Sequence, residues 1–167
     1  MQFNGKAHKF GDDVNTDYII SGKYKFKTLN MDELAKHVME DLDPEFYNKI
    51  TPGDFIVAGK NFGCGSSREQ APLAIKHARI AAVLAKSFAR IFYRNAINTG
   101  LPVVECDTDL IDHQDKLVVD LAAGFITNKT KGIQLQVKPL PKVMLKILSD
   151  GGLASHFRKH GGFSFDK

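Results

Sequence analysis

Several kinds of segment are missing from this 167-residue sequence, and each absence excludes a class of protein. Two cysteines, Cys64 and Cys106, are too few for a disulfide scaffold or a self-contained iron–sulfur site, and they favour a reducing cytoplasm. No stretch approaches 18 apolar residues, so no transmembrane helix and no membrane association is expected. The first ten residues lack the apolar core of a signal peptide. Internal repeats, low-complexity stretches and linkers are also absent.

The charge balance is mildly basic, with a net charge of +4 and a sequence pI near 9.0. The basic residues are scattered, without a run of four. Only the pI and the pair Arg90 and Arg94 therefore suggest nucleic-acid binding. A positive bias suits a small carboxylate substrate or an acidic partner equally well. Hydrophobic content of 43% and charged content of 25% are ordinary, so we expect one globular domain spanning residues 1–167.

The most informative stretch runs from residue 54 to residue 78. It predicts a strand at 55–58, a glycine-rich turn at 59–65 and a helix that opens at Ser66. Ser66 and Glu69 have the spacing of a capping box, which marks a helix start. A strand that feeds through a tight turn into a helix is a common position for chemistry in α/β proteins.

The residues of this turn suit an anion. Gly63 and Gly65 allow the backbone to approach a ligand, and Ser66, Ser67 and Arg68 add two hydroxyls and a planar cation. A well-capped helix with a solvated arginine explains each feature singly, but a cap needs only one hydroxyl and no arginine. The patterns of a P-loop, a dinucleotide fingerprint and a nucleophile elbow all fail here.

The rest of the chain predicts a partly parallel sheet with flanking helices, followed by a smaller antiparallel β layer. Strands are predicted at 2–10, 18–20, 80–85, 101–105, 115–121, 124–128 and 132–137. Helices are predicted at 31–39 with Asn30 as N-cap, 42–50, 87–96, 141–148 and 153–160. His37, His113, His156 and His160 are interpreted as surface histidines, and no metal site is predicted.

Three motifs together resemble one known family. They are GDDVNTD at residues 11–17, GCGSSRE at 63–69 and AKSFARIFYRNAINTG at 85–100. In this order they resemble the small subunits of isopropylmalate dehydratase, the separate swivel domain of the aconitase superfamily. The resemblance implies a swivelling β/β/α fold. It also implies a hydro-lyase that isomerises 2- and 3-isopropylmalate in leucine biosynthesis.

The resemblance also implies roles for the motif residues. Ser66 matches the catalytic base, acting as an alkoxide, while Ser67 and Arg68 match groups that bind the substrate. Thr16 and Asp17 match a pair at the active-site face. Cys64 is interpreted as a small filler of the turn, because no histidine lies at motif spacing to activate it.

The resemblance implies that the loop at residues 21–28, which mixes aromatic and basic residues, helps to select the substrate. Phe26 matches an apolar position typical of members that act on isopropylmalate, where homoaconitate-type members carry arginine. Lys25 departs from the family pattern, and Lys25 and Lys27 are suited to an extra carboxylate. A related small subunit for homoaconitate or another alkyl-substituted malate therefore stays open, as does a stand-alone anion-binding module.

The resemblance finally implies a partner. The family uses a [4Fe–4S] cluster held by three cysteines, and two cysteines cannot provide that site. We therefore expect no cofactor on this chain, a cluster on a separate large subunit, and an active site at their interface. The isolated chain is expected to be inactive, and the sequence leaves open whether it forms a homo-oligomer when isolated.

Overall fold

The computed structural model describes residues 1–25 and 30–162, with the backbone alone for Lys25. The strands are β1 (Gln2–Lys9), β2 (Phe55–Ala58), β3 (Ala82–Ala85), β4 (Val103–Glu105), β5 (Lys116–Asp120), β6 (Phe125–Asn128) and β7 (Ile133–Gln136). The helices are α1 (Thr16–Ile19), α2 (Gly22–Lys25), α3 (Met31–Ala35), α4 (Phe46–Lys49), α5 (Gln70–His77), α6 (Arg90–Thr99), α7 (Lys142–Ser149) and α8 (Leu153–His160). A 3-10 turn spans Thr108–Leu110.

The described strands form one seven-stranded sheet in the order β4-β3-β2-β1-β5-β6-β7. β1 joins its two halves: residues 7–9 pair with β2 in parallel, and residues 2–6 pair with β5 antiparallel. The β2–β3 and β3–β4 pairs are parallel, and the β5–β6 and β6–β7 pairs are antiparallel. The mixed α/β architecture is thus confirmed, with the antiparallel strands hydrogen-bonded into the same sheet through β1.

The parallel half is the buried centre of the protein. All four residues of β2 and all four of β3 are buried, as their uninterrupted apolar sequences predict for parallel strands covered on both faces. α5 connects β2 to β3 and α6 connects β3 to β4. α6 ends at Gly100 in a left-handed conformation, as predicted.

Next to the predicted site residues, two predictions about local structure are wrong, and both concern helix starts. Residues 18–20 do not form a strand, because the Asn15 side chain accepts the backbone N–H of Tyr18 and starts the single turn of α1. Similarly, α5 begins at Gln70 and not at Ser66, without a capping box. Pro72 explains the delay: in a helix from Ser66 it would lie in the interior, where proline lacks the N–H donor and clashes with the preceding turn.

The interpretation of His156 as a surface histidine is also wrong. Its side chain is 0% exposed, and its Nδ1 lies 2.8 Å from Asp150 Oδ2. His160 Nε2 lies 2.9 Å from the same oxygen, and Lys159 Nζ lies 3.2 Å from Oδ1. One carboxylate therefore ties α8 to the turn after α7. His113 and His160 are exposed, as predicted.

Across residues 1–25 and 30–162, no helix has the length and apolar character required to cross a membrane.

Candidate functional site

The predicted site residues lie at one edge of the sheet. β1 and β2 are adjacent and parallel, so the loops that leave their carboxyl ends begin side by side. The loop after β1 leads to Thr16 and Asp17, and the loop after β2 leads to Ser66, Ser67 and Arg68. Crevices outside the carboxyl ends of parallel strands are the usual binding position in open α/β sheets.

Thr16 joins the two loops. Its Oγ1 donates a 2.9 Å hydrogen bond to the backbone oxygen of Ser66, and its backbone N–H donates to the Cys64 oxygen at 2.9 Å. The Thr16 side chain is buried, with 2% of the residue exposed. Thr16 thus fixes the backbone on both sides of Gly65. Its hydroxyl proton is used in this bond.

Arg68 and Asp17 form an ion pair across the same two loops. Arg68 Nη1 lies 2.6 Å from Asp17 Oδ1, with 19% of the arginine side chain and 60% of the aspartate side chain exposed. The pair is close but poorly aligned, because Nη1 is buried and makes no hydrogen bond of good geometry. A buried donor without an aligned acceptor is costly, so a carboxylate that reached this guanidinium would bind favourably.

The glycine turn requires glycine by its backbone conformation and leaves several backbone N–H groups open. Gly63 and Gly65 have φ angles of 81° and 93°, and a Cβ on Gly63 would overlap the Phe92 ring. The Gly63 N–H is already donated to the Val14 oxygen at 2.7 Å. Within the described residues, the N–H groups of Gly65, Ser66 and Ser67 donate no hydrogen bond, which leaves three donors for a ligand.

Ser66 and Ser67 are exposed at the tip of this turn. In the part of the chain that the structure describes, neither hydroxyl makes a hydrogen bond, so both are open to a ligand or a partner. The Ser66 backbone oxygen, by contrast, accepts bonds from Thr16 and from the Arg68 N–H at 2.9 Å. Since α5 begins four residues later, the helix dipole acts on Ser66 less directly than its predicted position implied.

The predicted substrate loop approaches this site through α2. A Cβ placed on Gly22 would lie 3.5 Å from both terminal nitrogens of Arg68, so the first residue of α2 borders the guanidinium. Phe26 and Lys27 lie outside the described residues, and only the backbone of Lys25 is described. Their predicted roles therefore remain predictions.

An aromatic cluster supports the glycine turn from below. The ring centroids of Phe62 and Phe92 are 5.2 Å apart, and those of Phe62 and Phe88 are 6.0 Å apart. Phe62 also pairs with Phe88 in a short parallel bridge between the loops after β2 and β3. This cluster explains why the turn keeps its conformation although its tip is exposed.

A cleft of about 390 Å³ opens elsewhere, and it is not lined by the serines or by Arg68. Its walls include Phe88, Arg90, Tyr93, Glu105 and Met144. The predicted site residues thus lie on an open surface rather than in this cavity.

The thiols do not suit a metal cluster. Burial raises the pKa of the Cys106 thiol to about 12, which opposes the thiolate that a cluster ligand must be. Cys64 is half-buried in the glycine turn. Two thiols, one of them held protonated, do not make the three-cysteine site of a [4Fe–4S] cluster.

Among the described residues, one other group has the composition of a metal site: Asp150, His156 and His160. Its carboxylate already accepts from both imidazoles, and the Lys159 ammonium lies 3.2 Å from its second oxygen. A cation would have to displace that ammonium. Asp150, His156 and His160 are instead explained as part of an ion-pair network that joins α8 to the end of α7.

Sequence reasoning missed one feature of the site. The Arg68–Asp17 ion pair joins residues 51 positions apart in the 167-residue sequence, and no local pattern connects them. The signal that was available is Pro72, whose place in the sequence marks the true start of α5.

Comparison with known proteins agrees with this geometry. The sequence profile of the aconitase C-terminal domain matches residues 13–108. The chain is 65% identical over 161 residues to 3-isopropylmalate dehydratase small subunit 2 of Archaeoglobus fulgidus, covering 96% of this chain and 98% of that protein. It is 55% identical over 155 residues to the methanogen homoaconitase small subunit of Methanothermobacter thermautotrophicus, covering 93% of this chain and 90% of that protein. The crystal structure of 3-isopropylmalate dehydratase from Methanocaldococcus jannaschii superposes with a TM-score of 0.92 at 48% identity, covering 96% of each chain.

Proposed function

We propose that this chain is the small subunit of a 3-isopropylmalate dehydratase. The chain belongs to the aconitase C-terminal domain family and, within it, to the small subunits of 3-isopropylmalate dehydratase and its relatives. Together with a large subunit it interconverts 2- and 3-isopropylmalate by dehydration and rehydration, as part of a cytoplasmic enzyme of leucine biosynthesis. All 167 residues form one swivel domain. The observation that carries the proposal is the open turn that presents the exposed Ser66 two residues before Arg68, whose buried Nη1 lacks a well-aligned acceptor.

Arg68 binds a carboxylate of the substrate. Its planar fork matches two carboxylate oxygens, and its buried Nη1 gains the aligned acceptor that Asp17 does not provide. The N–H groups of Gly65, Ser66 and Ser67 extend this cradle. The Ser67 hydroxyl donates to the same carboxylate or to the oxygen beside it.

Ser66 is the base. Its Oγ takes the proton from the carbon next to the bound carboxylate, and the C–H electron pair becomes the double bond as the hydroxyl group leaves the adjacent carbon. An ordinary serine is too weak a base near neutral pH, so the alkoxide must be stabilised. The neighbouring guanidinium and backbone N–H groups supply that stabilisation, and they act more strongly once the partner has excluded water.

The departure of the hydroxyl group requires an electrophile that this chain does not hold. We propose that a [4Fe–4S] cluster on a separate large subunit supplies it, since Cys64 and Cys106 do not suit a cluster. The open position of the two serines fits an active site that is completed at a subunit interface. Thr16 holds the glycine turn, and Asp17 keeps Arg68 in place until the substrate arrives.

Reconstitution tests this proposal. The chain is mixed anaerobically with its cognate cluster-bearing subunit, and formation of the unsaturated acid is followed with isopropylmalate, homocitrate and methyl-substituted malates. We expect turnover of isopropylmalate by the complex and none by the isolated chain. Because one relative is a homoaconitase small subunit, turnover of homocitrate alone would assign the second candidate function. Full activity of the isolated, iron-free chain would contradict the two-subunit mechanism.

A further inference from the structure

Thr16 contacts the glycine turn through both of its hydrogen-bond donors. Its backbone N–H donates to the Cys64 oxygen at 2.9 Å, and its Oγ1 donates to the Ser66 oxygen at 2.9 Å. The residue is firmly held, because it is 2% exposed, opens α1 and has a β-branched side chain with restricted χ1. One fixed residue therefore holds two carbonyl groups of the turn, one on each side of Gly65.

The held carbonyl groups fix the direction of two backbone N–H groups. A trans peptide bond points its N–H opposite to its C=O, and the Cys64–Gly65 and Ser66–Ser67 bonds are trans. Since the Cys64 and Ser66 oxygens both point to Thr16, the N–H groups of Gly65 and Ser67 both point away from it. Gly65 and Ser67 are exposed, and neither N–H has an acceptor among the described residues.

The packing of Gly65 agrees with this direction. A Cβ built on Gly65 would lie 3.5 Å from Asn15 Cβ and 3.6 Å from Thr16 Oγ1, so this side of the glycine lies against the loop after β1. Its exposed surface is therefore on the other side. Unpaired N–H groups that share a direction within a turn form a concavity that binds anions.

We propose that Thr16 is a positioning residue that aims the Gly65 and Ser67 N–H groups at the substrate carboxylate beside the carbon that loses its proton. The inference rests on the proposed function, because it concerns the same turn and the same reaction. Negative charge grows on that carboxylate as the proton leaves, and donors that are already aligned stabilise it without rearranging. Thr16 itself does not contact the substrate, since its hydroxyl proton is used and its side chain is buried.

Substitution separates the two bonds of Thr16. Valine and serine at this position both keep the backbone N–H, so the bond to Cys64 and the direction of the Gly65 N–H are retained. Only serine keeps the hydroxyl that holds the Ser66 oxygen. In Thr16→Val that oxygen still accepts the Arg68 N–H at 2.9 Å, so it is not left unpaired, but its remaining donor lies within the same turn. The Ser66–Ser67 peptide plane can then rotate with the turn.

Residual dipolar couplings of the full chain measure this rotation, because they depend on the direction of each N–H bond. Thr16→Ser should keep the wild-type couplings at Gly65 and Ser67. Thr16→Val should change the Ser67 coupling beyond experimental error and keep that of Gly65. A wild-type Ser67 coupling in Thr16→Val would overturn the proposal.

Thr108→Val is the matched control. Thr108 is 1% exposed, and its hydroxyl donates to the Ala58 backbone oxygen at 2.8 Å. The variant therefore loses an equivalent buried bond outside the glycine turn. It should keep the wild-type couplings at Gly65 and Ser67, and a changed Ser67 coupling in Thr108→Val would show that the effect is not specific to Thr16.

Turnover by the reconstituted complex measures the consequence for the reaction. Removing a donor at a developing charge costs about 10²- to 10³-fold in kcat, so misdirecting one is expected to cost about 10- to 100-fold. We expect that loss in Thr16→Val, with KM for isopropylmalate within about fivefold. Thr16→Ser and Thr108→Val should stay within about threefold of the wild-type kcat.

The kinetic result has two contrary outcomes. Equal kcat values for Thr16→Val and Thr16→Ser would overturn the role of the hydroxyl. So would a fall in melting temperature or in subunit assembly that accounts for the whole loss in Thr16→Val. If the wild-type complex turns over no malate, the proposed function fails, while the couplings of the full chain still decide whether Thr16 aims the turn.

Discussion

Arg68→Lys tests the anion site by changing its geometry while keeping its charge. Arg68 is 19% exposed in its side chain and reaches Asp17 at 2.6 Å, and the proposal gives it two parallel hydrogen bonds to a substrate carboxylate. Lysine is a point charge without the planar fork, so one of these bonds is lost. A hydrogen bond to a charged group contributes about 1.5–3 kcal/mol, which corresponds to a loss of about 10- to 150-fold in kcat/KM.

The assay is the initial rate of unsaturated-acid formation by the reconstituted complex over a range of isopropylmalate concentrations. Arg158→Lys is the control, since Arg158 is exposed on α8 and contacts Ser155 at 3.0 Å. It should reproduce wild-type kinetics. A kcat/KM within twofold of wild type for Arg68→Lys, with the complex intact, would refute a bidentate role.

Two further changes test the framework of the protein. Hydrogen bonding from His156 lowers the pKa of Asp150, although burial opposes this shift. The stability that the Asp150 carboxylate contributes is therefore fully present above the ordinary aspartate pKa of about 4. This stability is lost as the pH falls from that value toward the lowered pKa of the folded protein. Urea unfolding should therefore show a deficit of Asp150→Asn relative to wild type at pH 7 that shrinks by pH 3. Gly63→Ala should lower the free energy of unfolding by about 2–5 kcal/mol, because alanine is strained at a φ of 81° and its Cβ overlaps Phe92.

Each of these has a clear contrary outcome. A stability deficit of Asp150→Asn that is the same at pH 7 and pH 3 would show that the carboxylate charge does not hold α8. Gly132→Ala is the control for glycine replacement, because Gly132 has a similar φ of 68° but open space around its Cβ position. If Gly63→Ala costs no more than Gly132→Ala, the contact with Phe92 is not what requires glycine.

The sheet was predictable because its signals are local. The apolar runs of β2 and β3 and the separation of strands by helices led directly to the parallel half. The turns between β5, β6 and β7 marked the antiparallel half. That β1 joins them, pairing with β2 through residues 7–9 and with β5 through residues 2–6, is set by contacts distant in sequence, which no local pattern encodes.

The motifs supplied a list of candidate site residues but not their geometry. The motifs led to Ser66 and Arg68, but the capping-box pattern outweighed Pro72 and placed the helix start four residues too early. Asp17 was assigned to the active-site face without its partner, because the ion pair with Arg68 forms only when two loops meet at the sheet edge.

The central claim, that Ser66 is the base, is tested most directly by the kcat of Ser66→Ala in the reconstituted complex, measured beside Cys64→Ala. A general base contributes about 10²- to 10⁴-fold. We therefore expect kcat to fall by that factor for Ser66→Ala, with unchanged folding and assembly. Cys64→Ala, two residues away in the same turn, should retain most of the activity. Near-normal turnover by Ser66→Ala would contradict the assignment of Ser66 as the base.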